Sequence, residues 1–253
     1  MGNEKGWTTQ EAFQSIYSTI ETFNELTKWN KKDYEEYEIL LNRLKLSRGD
    51  LKAINKIPFD TTKSVGDALE DLVNFIIRKT FFFTVSKNVR TGTNEVDQVI
   101  RLSSPGKVAM ERFEITKSLL HIEDEIFLGE CKNYAESLSV TYVGKFYSLL
   151  KQCDCNLGLL FTYKGVSGDE SKWSDGHGLM KVLRIVEKYT NNKDFHIIEF
   201  SLKDYEAILN GKSFFELLDA KKVALQVAAK HEHFLEETIS EQLHSIIDHC
   251  KGK

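Results

Sequence analysis

Two carboxylates and a lysine offer the clearest chemistry in this sequence. In "EIFLGECKNY", Glu130 and Lys132 close an apolar run and lie two residues apart. Strand side chains alternate with period two, so the pair shares a face. Four Asp/Glu-x-Lys triplets occur: Asp50–Lys52, Glu130–Lys132, Glu170–Lys172 and Asp219–Lys221. Three of them fall at helix ends or in loops, where a solvated ion pair is the expectation. Only Glu130–Lys132 follows an apolar strand. Upstream, "TGTNEVDQVIRL" sets Asp97 behind a turn and ahead of Val99 and Ile100. Neighbouring strands would bring Asp97 and Glu130 to one sheet edge. That supplies hard oxygen ligands of the kind Mg²⁺ prefers, with the main-chain carbonyl of Cys131 as a further ligand. Lys132 beside such a metal would hold or polarise an attacking water and offset charge on a phosphate. Glu70, in "GDALEDLV" on the helix before these strands, can reach the same edge. Glu95 shares the Asp97 face and reads as a solvated strand residue. Lys145, on the helix after the motif strand, is a candidate phosphate contact.

The elements that must position these groups follow from periodicity. Residues 9–55 read as helical, with Phe13, Ile16, Tyr17, Ile20 and Phe23 at helical spacing and "SRGD" as a break, forming a helical appendage or dimerisation surface. "SVGDALEDLVNFIIRKT" is a helix with Leu69, Leu72, Val73, Ile76 and Ile77 on one side. "FFFTVSKNV" and "EVDQVIRLSS" are strands joined by the turn "RTGTN". Residues 104–125 mix both periods, and one or two strands are expected there. "SVTYVGKFYSLLKQCD" is a helix opening at Ser137 or Ser139, and "LGLLFTY" is a strand buried on both faces. From residue 126 the order is strand, helix, strand, helix, strand, helix, which argues an α/β layer with crossovers. The last helix, "ELLDAKKVALQVAAKHEHFLEETISEQLHSIIDHC", is expected to be continuous. The division is an N-terminal helical region (1–60), a central domain (61–218) and a C-terminal helix (219–253).

Composition narrows the function classes. Lys and Arg number 34 against 38 Asp and Glu, a net charge of -4, so a contact with nucleic acid must come from a local patch. No apolar run reaches the ~20 residues of a membrane span, and "MGNEKGWTTQ" is too polar for a signal peptide. Four cysteines then point to reduced thiols in a cytoplasm. Cys153-x-Cys155, Cys131 and Cys250 lack zinc spacing and read as small buried hydrophobes. His231 and His233 sit two apart in a helix and face apart, against joint metal binding. His177 reads as an exposed loop residue. "GVSGDESKWSDGHG" lacks the Gly-Lys-Ser/Thr of a nucleotide loop.

Glu70 on a leading helix, Asp97 after a hairpin turn and Glu130-x-Lys132 at a strand end resemble the PD-(D/E)xK nuclease superfamily. The helix "VGKFYSLLKQ", the strand "LGLLFTY" and the Gly/Ser loop resemble its Mrr-like restriction endonuclease branch. The resemblance covers about residues 64–210. It implies an α/β fold with a restriction-endonuclease-like central mixed sheet flanked by helices. It also implies Asp97, Glu130 and the Cys131 carbonyl as Mg²⁺ ligands (Mn²⁺ able to substitute), Lys132 as the catalytic lysine and Glu70 as an auxiliary acid. The implied activity is hydrolysis of DNA phosphodiesters leaving a 5′-phosphate, by a homodimer if both strands are cut, in defence or restriction. The stretch between Asp97 and Glu130 exceeds a simple hairpin and is read as an insertion for recognition or assembly. A non-cleaving DNA-binding or assembly module with the same fold, and a nuclease effector regulated by a partner, are the alternative functions.

Overall fold

The computed structural model describes residues 9–51, 59, 61–90 and 95–235, with side chains described from residue 14 onward. Helix α1 (Thr9–Thr27) leads into α2 (Lys31–Arg48). Asn30 and Asp33 cap α2 reciprocally, and Gly49 ends it in the left-handed conformation at φ 78°. This end falls on the break "SRGD". Helix α3 (Thr62–Lys79) buries Leu69, Leu72, Val73, Ile76 and Ile77, the five residues its apolar stripe marks. Strands β1 (Phe83–Arg90) and β2 (Glu95–Leu102) follow, then α4 (Ser104–Arg112) and β3 (Ile126–Lys132). The alternation expected from residue 126 is present. Helix α5 (Val140–Gln152), β4 (Leu157–Thr162), α6 (Asp175–Asn191), β5 (His196–Phe200) and α7 (Leu202–Leu209) precede α8 (Phe214–Val227) and a 3-10 turn at His231–Phe234.

The five strands form one mixed sheet in the order β1-β2-β3-β4-β5. Strand β2 runs antiparallel to β1 and β3, while β3, β4 and β5 are mutually parallel. Every residue of β4 and β5 is buried, as crossover helices on both faces require. The fold is therefore α/β, a mixed sheet flanked by helices. Phe23, Tyr37, Leu41 and Leu44 of α1 and α2 belong to the same hydrophobic core as the sheet. The Tyr37 hydroxyl donates to the Tyr205 carbonyl at 2.9 Å. The first two helices are thus built into the body rather than appended to it. No described helix is long and apolar enough to cross a membrane.

Two further expectations are corrected. Residues 104–125 hold no strand; they form α4 and a run of turns. Ser103 caps α4 by accepting from the Gly106 amide at 3.0 Å, and Pro105 sits in the first turn, where a missing N–H costs nothing. This cap outweighs the weak periodicity. Helix α4 lies so close to the start of β1 that a Cβ on Gly106 would stand 2.7 Å from the Phe82 carbonyl oxygen. Alanine is the better helix former by about 1 kcal/mol, yet Gly106→Ala is expected to destabilise, by about 1–3 kcal/mol. Urea unfolding monitored by circular dichroism reads the sign directly. The continuous last helix is also broken. Ala228 turns left-handed at φ 55° and Ala229 N–H returns to the Ala224 carbonyl. The chain is then pinned by Glu170, which accepts from the His231 amide at 3.0 Å. The remainder of that expected helix, from residue 236, lies outside the described residues.

Candidate active site at the parting of two strands

Strands β2 and β3 pair from Arg101–Ile126 to Gln98–Gly129, and the pairing stops there although both run on. Continuing the register sets Asp97 opposite Glu130, on one face of the sheet with Lys132. Strand β3 meanwhile stays paired with β4 out to Lys132–Thr162 and β2 with β1 out to Glu95–Arg90, so the sheet splits between β2 and β3. At the resulting fork the Cys131 amide donates to Asp97 Oδ2 at 3.1 Å. In extended chain a residue's N–H and C=O project to the same side, which puts the Cys131 carbonyl at the fork as well. The Cys131 thiol is buried in the core and pushed far up by that burial.

Lys132 Nζ bridges the two carboxylates, 3.0 Å from Asp97 Oδ2 and 2.7 Å from Glu130 Oε1. All three side chains are about one-fifth exposed. Burial raises the Glu130 carboxyl and the charge of Asp97 raises it further, against the opposing pull of Lys132. Burial would lower Lys132, but Glu130 and Asp97 hold it above its ordinary value as a firm ammonium. Two facing, half-desolvated carboxylates and a carbonyl form an all-oxygen donor set short of positive charge. This set fits a hard divalent cation.

Glu70 stands on α3 behind the fork. Burial raises its carboxyl, and Asp97 is among the charges it feels, yet no ion pair or hydrogen bond joins it to Asp97, Glu130 or Lys132 among the described residues. The face of Glu130 and Lys132 opens into a groove of about 450 Å³ whose other wall is α5. Lys145 lines this groove, as does the exposed Glu95, which pairs loosely with Arg90 at 3.9 Å. The structure thus gathers Asp97, Glu130, Cys131 and Lys132 closely, with Lys145 across the groove and Glu70 at a remove.

One anchor of this end was invisible to periodicity. Buried Asn133, next to Lys132, donates to Val65 O at 2.6 Å and Ser47 Oγ at 3.0 Å, and accepts from Arg48 Nε at 2.8 Å. It ties the end of β3 to α2 and α3.

A second charged cluster lies further along the same end of the sheet, beyond β4 and β5. Lys221, only 4% exposed, sits 3.0 Å from Asp204, 3.5 Å from Glu199 and 3.7 Å from Glu170. His231 Nδ1 is 2.9 Å from Glu170 Oε1 and its Nε2 3.3 Å from Asp204 Oδ1. Glu170 and Lys221 belong to two triplets expected to be solvated pairs. Instead they meet in the interior, because Lys221 falls within the buried stripe Phe214, Leu217, Leu218, Ala224 and Leu225 of α8. That misplaced charge in an apolar stripe was the available sequence signal. His177, expected in an exposed loop, is in the first turn of α6 and buried, and burial drives it down to about 4. Glu170, His231 and Glu232 bring ligand atoms within 4.8 Å of one another. The same atoms also make ion pairs whenever His231 is protonated. Burial pulls His231 down, but hydrogen bonds with Asp204 and Glu170 lift it to about 9 from 6.5.

This cluster sets a pH dependence. A histidine raised on folding stabilises fully below its unfolded value of 6.5 and ceases to as pH rises through about 9. Glu199 is raised by burial to about 7 from 4.5, so its ionisation also costs stability as pH rises through 7. Both act in one direction. Urea midpoints are expected to fall between pH 6.5 and 9, with His231→Gln flattening that limb; a flat wild-type profile would contradict the assignment.

Comparison of the chain with family models, curated proteins and solved structures returns no match in any of the three.

Proposed function

We propose that the fork of β2 and β3 is the catalytic centre of a Mg²⁺-dependent deoxyribonuclease of the PD-(D/E)xK type, a phosphodiester hydrolase. The observation that carries this reading is the convergence of Asp97 and Glu130 on Lys132 where the two strands part, beside an open groove. Bound Mg²⁺, or Mn²⁺ in its place, would supply Lewis acidity and a water activated at neutral pH. Asp97, Glu130 and the Cys131 carbonyl are the groups that would hold it. The Lys132 ammonium offsets the charge that builds on the phosphate, from a site too enclosed for water to screen it fully. Lys145 receives a flanking phosphate, and Glu70 is an auxiliary acid that deepens the negative field at the fork. The chain acts in a cytoplasm that keeps its thiols reduced, with restriction or defence against foreign DNA as its role and a homodimer as the form that cuts both strands.

Incubation of supercoiled and linear plasmid with Mg²⁺, Mn²⁺ or EDTA tests the reading, using the wild type, Lys132→Ala and Asp97→Ala. Metal-dependent cutting that Lys132→Ala slows at least about a hundredfold and Asp97→Ala abolishes is the expected result. Cutting that survives both would overturn the site, and tight binding with no cutting would make the protein a DNA-binding module. Nicked circles without linear product would show a chain acting on one strand at a time.

A further inference from the structure

Two tyrosines flank the proposed site. Tyr134 follows Lys132 by two residues, its amide donating to the Lys132 carbonyl at 3.1 Å, and the residue is 40% exposed. Its ring meets that of Tyr142 edge-on, with centroids 5.6 Å apart and hydroxyls 3.4 Å apart. Tyr142 lines the groove with Glu130 and Lys132, and packs partly on the core. Lys145 Nζ lies 5.6 Å from the centre of the Tyr142 ring. An exposed ring beside a half-buried one that a cation backs, next to the proposed site, offers aromatic surface of the kind on which unpaired bases stack.

Charge points the same way. The groove carries Glu95 and Glu130 against Lys132 and Lys145, and the whole chain has a net charge of -4. Attraction to the phosphate backbone is therefore weak here, and another interaction must hold the strand. Stacking is indifferent to sequence but needs a free π face, which a continuous duplex does not offer at its side.

We propose that Tyr134 and Tyr142 form a base-stacking platform, and that the site prefers DNA with unpaired bases beside the cleaved phosphate: a single strand, a flap, a frayed end or a strand opened within a duplex. This rests on the nuclease reading for its place in a reaction, though the platform is testable without cleavage. Fluorescence anisotropy of a labelled single-stranded oligonucleotide, in EDTA, measures binding to the whole protein. Tyr134→Ala and Tyr142→Ala are each expected to weaken binding about tenfold, while Tyr134→Phe, which keeps the ring, binds like the wild type. A blunt duplex of the same sequence should bind more weakly and ignore both substitutions. Because Tyr142 also packs on the core, exposed Tyr134 is the decisive position. Equal binding by Tyr134→Ala and wild type, or tighter binding of the duplex, would overturn the platform. Adding Mg²⁺ separates the two readings. Tyrosine-dependent binding without cleavage upholds the platform and sinks the nuclease, whereas cleavage with tyrosine-independent binding does the reverse.

Discussion

Lys132→Ala is expected to slow Mg²⁺-dependent DNA cleavage by about 10²–10³-fold, the usual cost of removing one pre-positioned charge from a transition state, while leaving metal binding intact. The reason lies in the bridge that Lys132 makes between Asp97 and Glu130. Removing the ammonium leaves two facing carboxylates, one already raised by burial and by its neighbour's charge. Their need for a cation grows rather than disappears. Mg²⁺ should therefore raise the melting temperature of Lys132→Ala at least as much as that of the wild type, with a gain of about 2.7 kcal/mol when free metal is a hundredfold above its Kd. Asp97→Ala removes a proposed ligand and the acceptor of the Cys131 amide together, so it should lose both cleavage and the metal-induced shift. Melting curves with and without Mg²⁺ separate the two roles. A Lys132→Ala variant that cuts normally, or that loses the shift as Asp97→Ala does, would contradict the assignment.

Lys221→Met should be the most destabilising single substitution of the charged interior, by about 3–5 kcal/mol, out of a total of about 5–15 kcal/mol for a typical protein. Methionine fills the volume, so the loss is electrostatic rather than a cavity. It strands the Asp204 and Glu170 carboxylates with only His231 left to balance them, and takes from Glu199, already raised by burial, the cation that favours its ionised form. Lys221 itself resists titration: burial opposes its charge, but Asp204, Glu199 and Glu170 hold it above the ordinary lysine value. Adding Asp204→Asn to Lys221→Met removes one stranded charge and should recover part of the loss, giving a coupling energy in a double-mutant cycle. Urea unfolding at neutral pH measures all three variants. A loss below about 1 kcal/mol for Lys221→Met, the worth of an exposed pair, would mean that water reaches the cluster.

Periodicity was sufficient for the layer architecture. The stripe of α3, the doubly buried β4 and the alternation from β3 to α7 are each local patterns, because burial on one face or two imposes its period on neighbouring residues. The Glu130–Lys132 pair was equally legible, since a strand puts alternate residues on one face whatever lies beyond it. Boundaries set by contacts distant in sequence were not. Residues 104–125 became α4 through a cap and a close seat on Phe82, and the last helix stopped at Ala228, beside the His231 that Glu170 holds.

By itself, then, the sequence determined which strand ends in an acid and a lysine, and that Asp97 belongs to a strand able to approach it. Only the tertiary structure decided that β2 and β3 part after Gln98–Gly129, so that Asp97 faces Glu130 across an open fork rather than a closed ladder. It alone also decided that Glu170 and Lys221, far apart in the chain, are 3.7 Å apart in the interior while their twin triplet lies at the fork. The physical reason is common to both. A charge's environment is set by what other segments bury against it, and three-residue spacing carries no record of that.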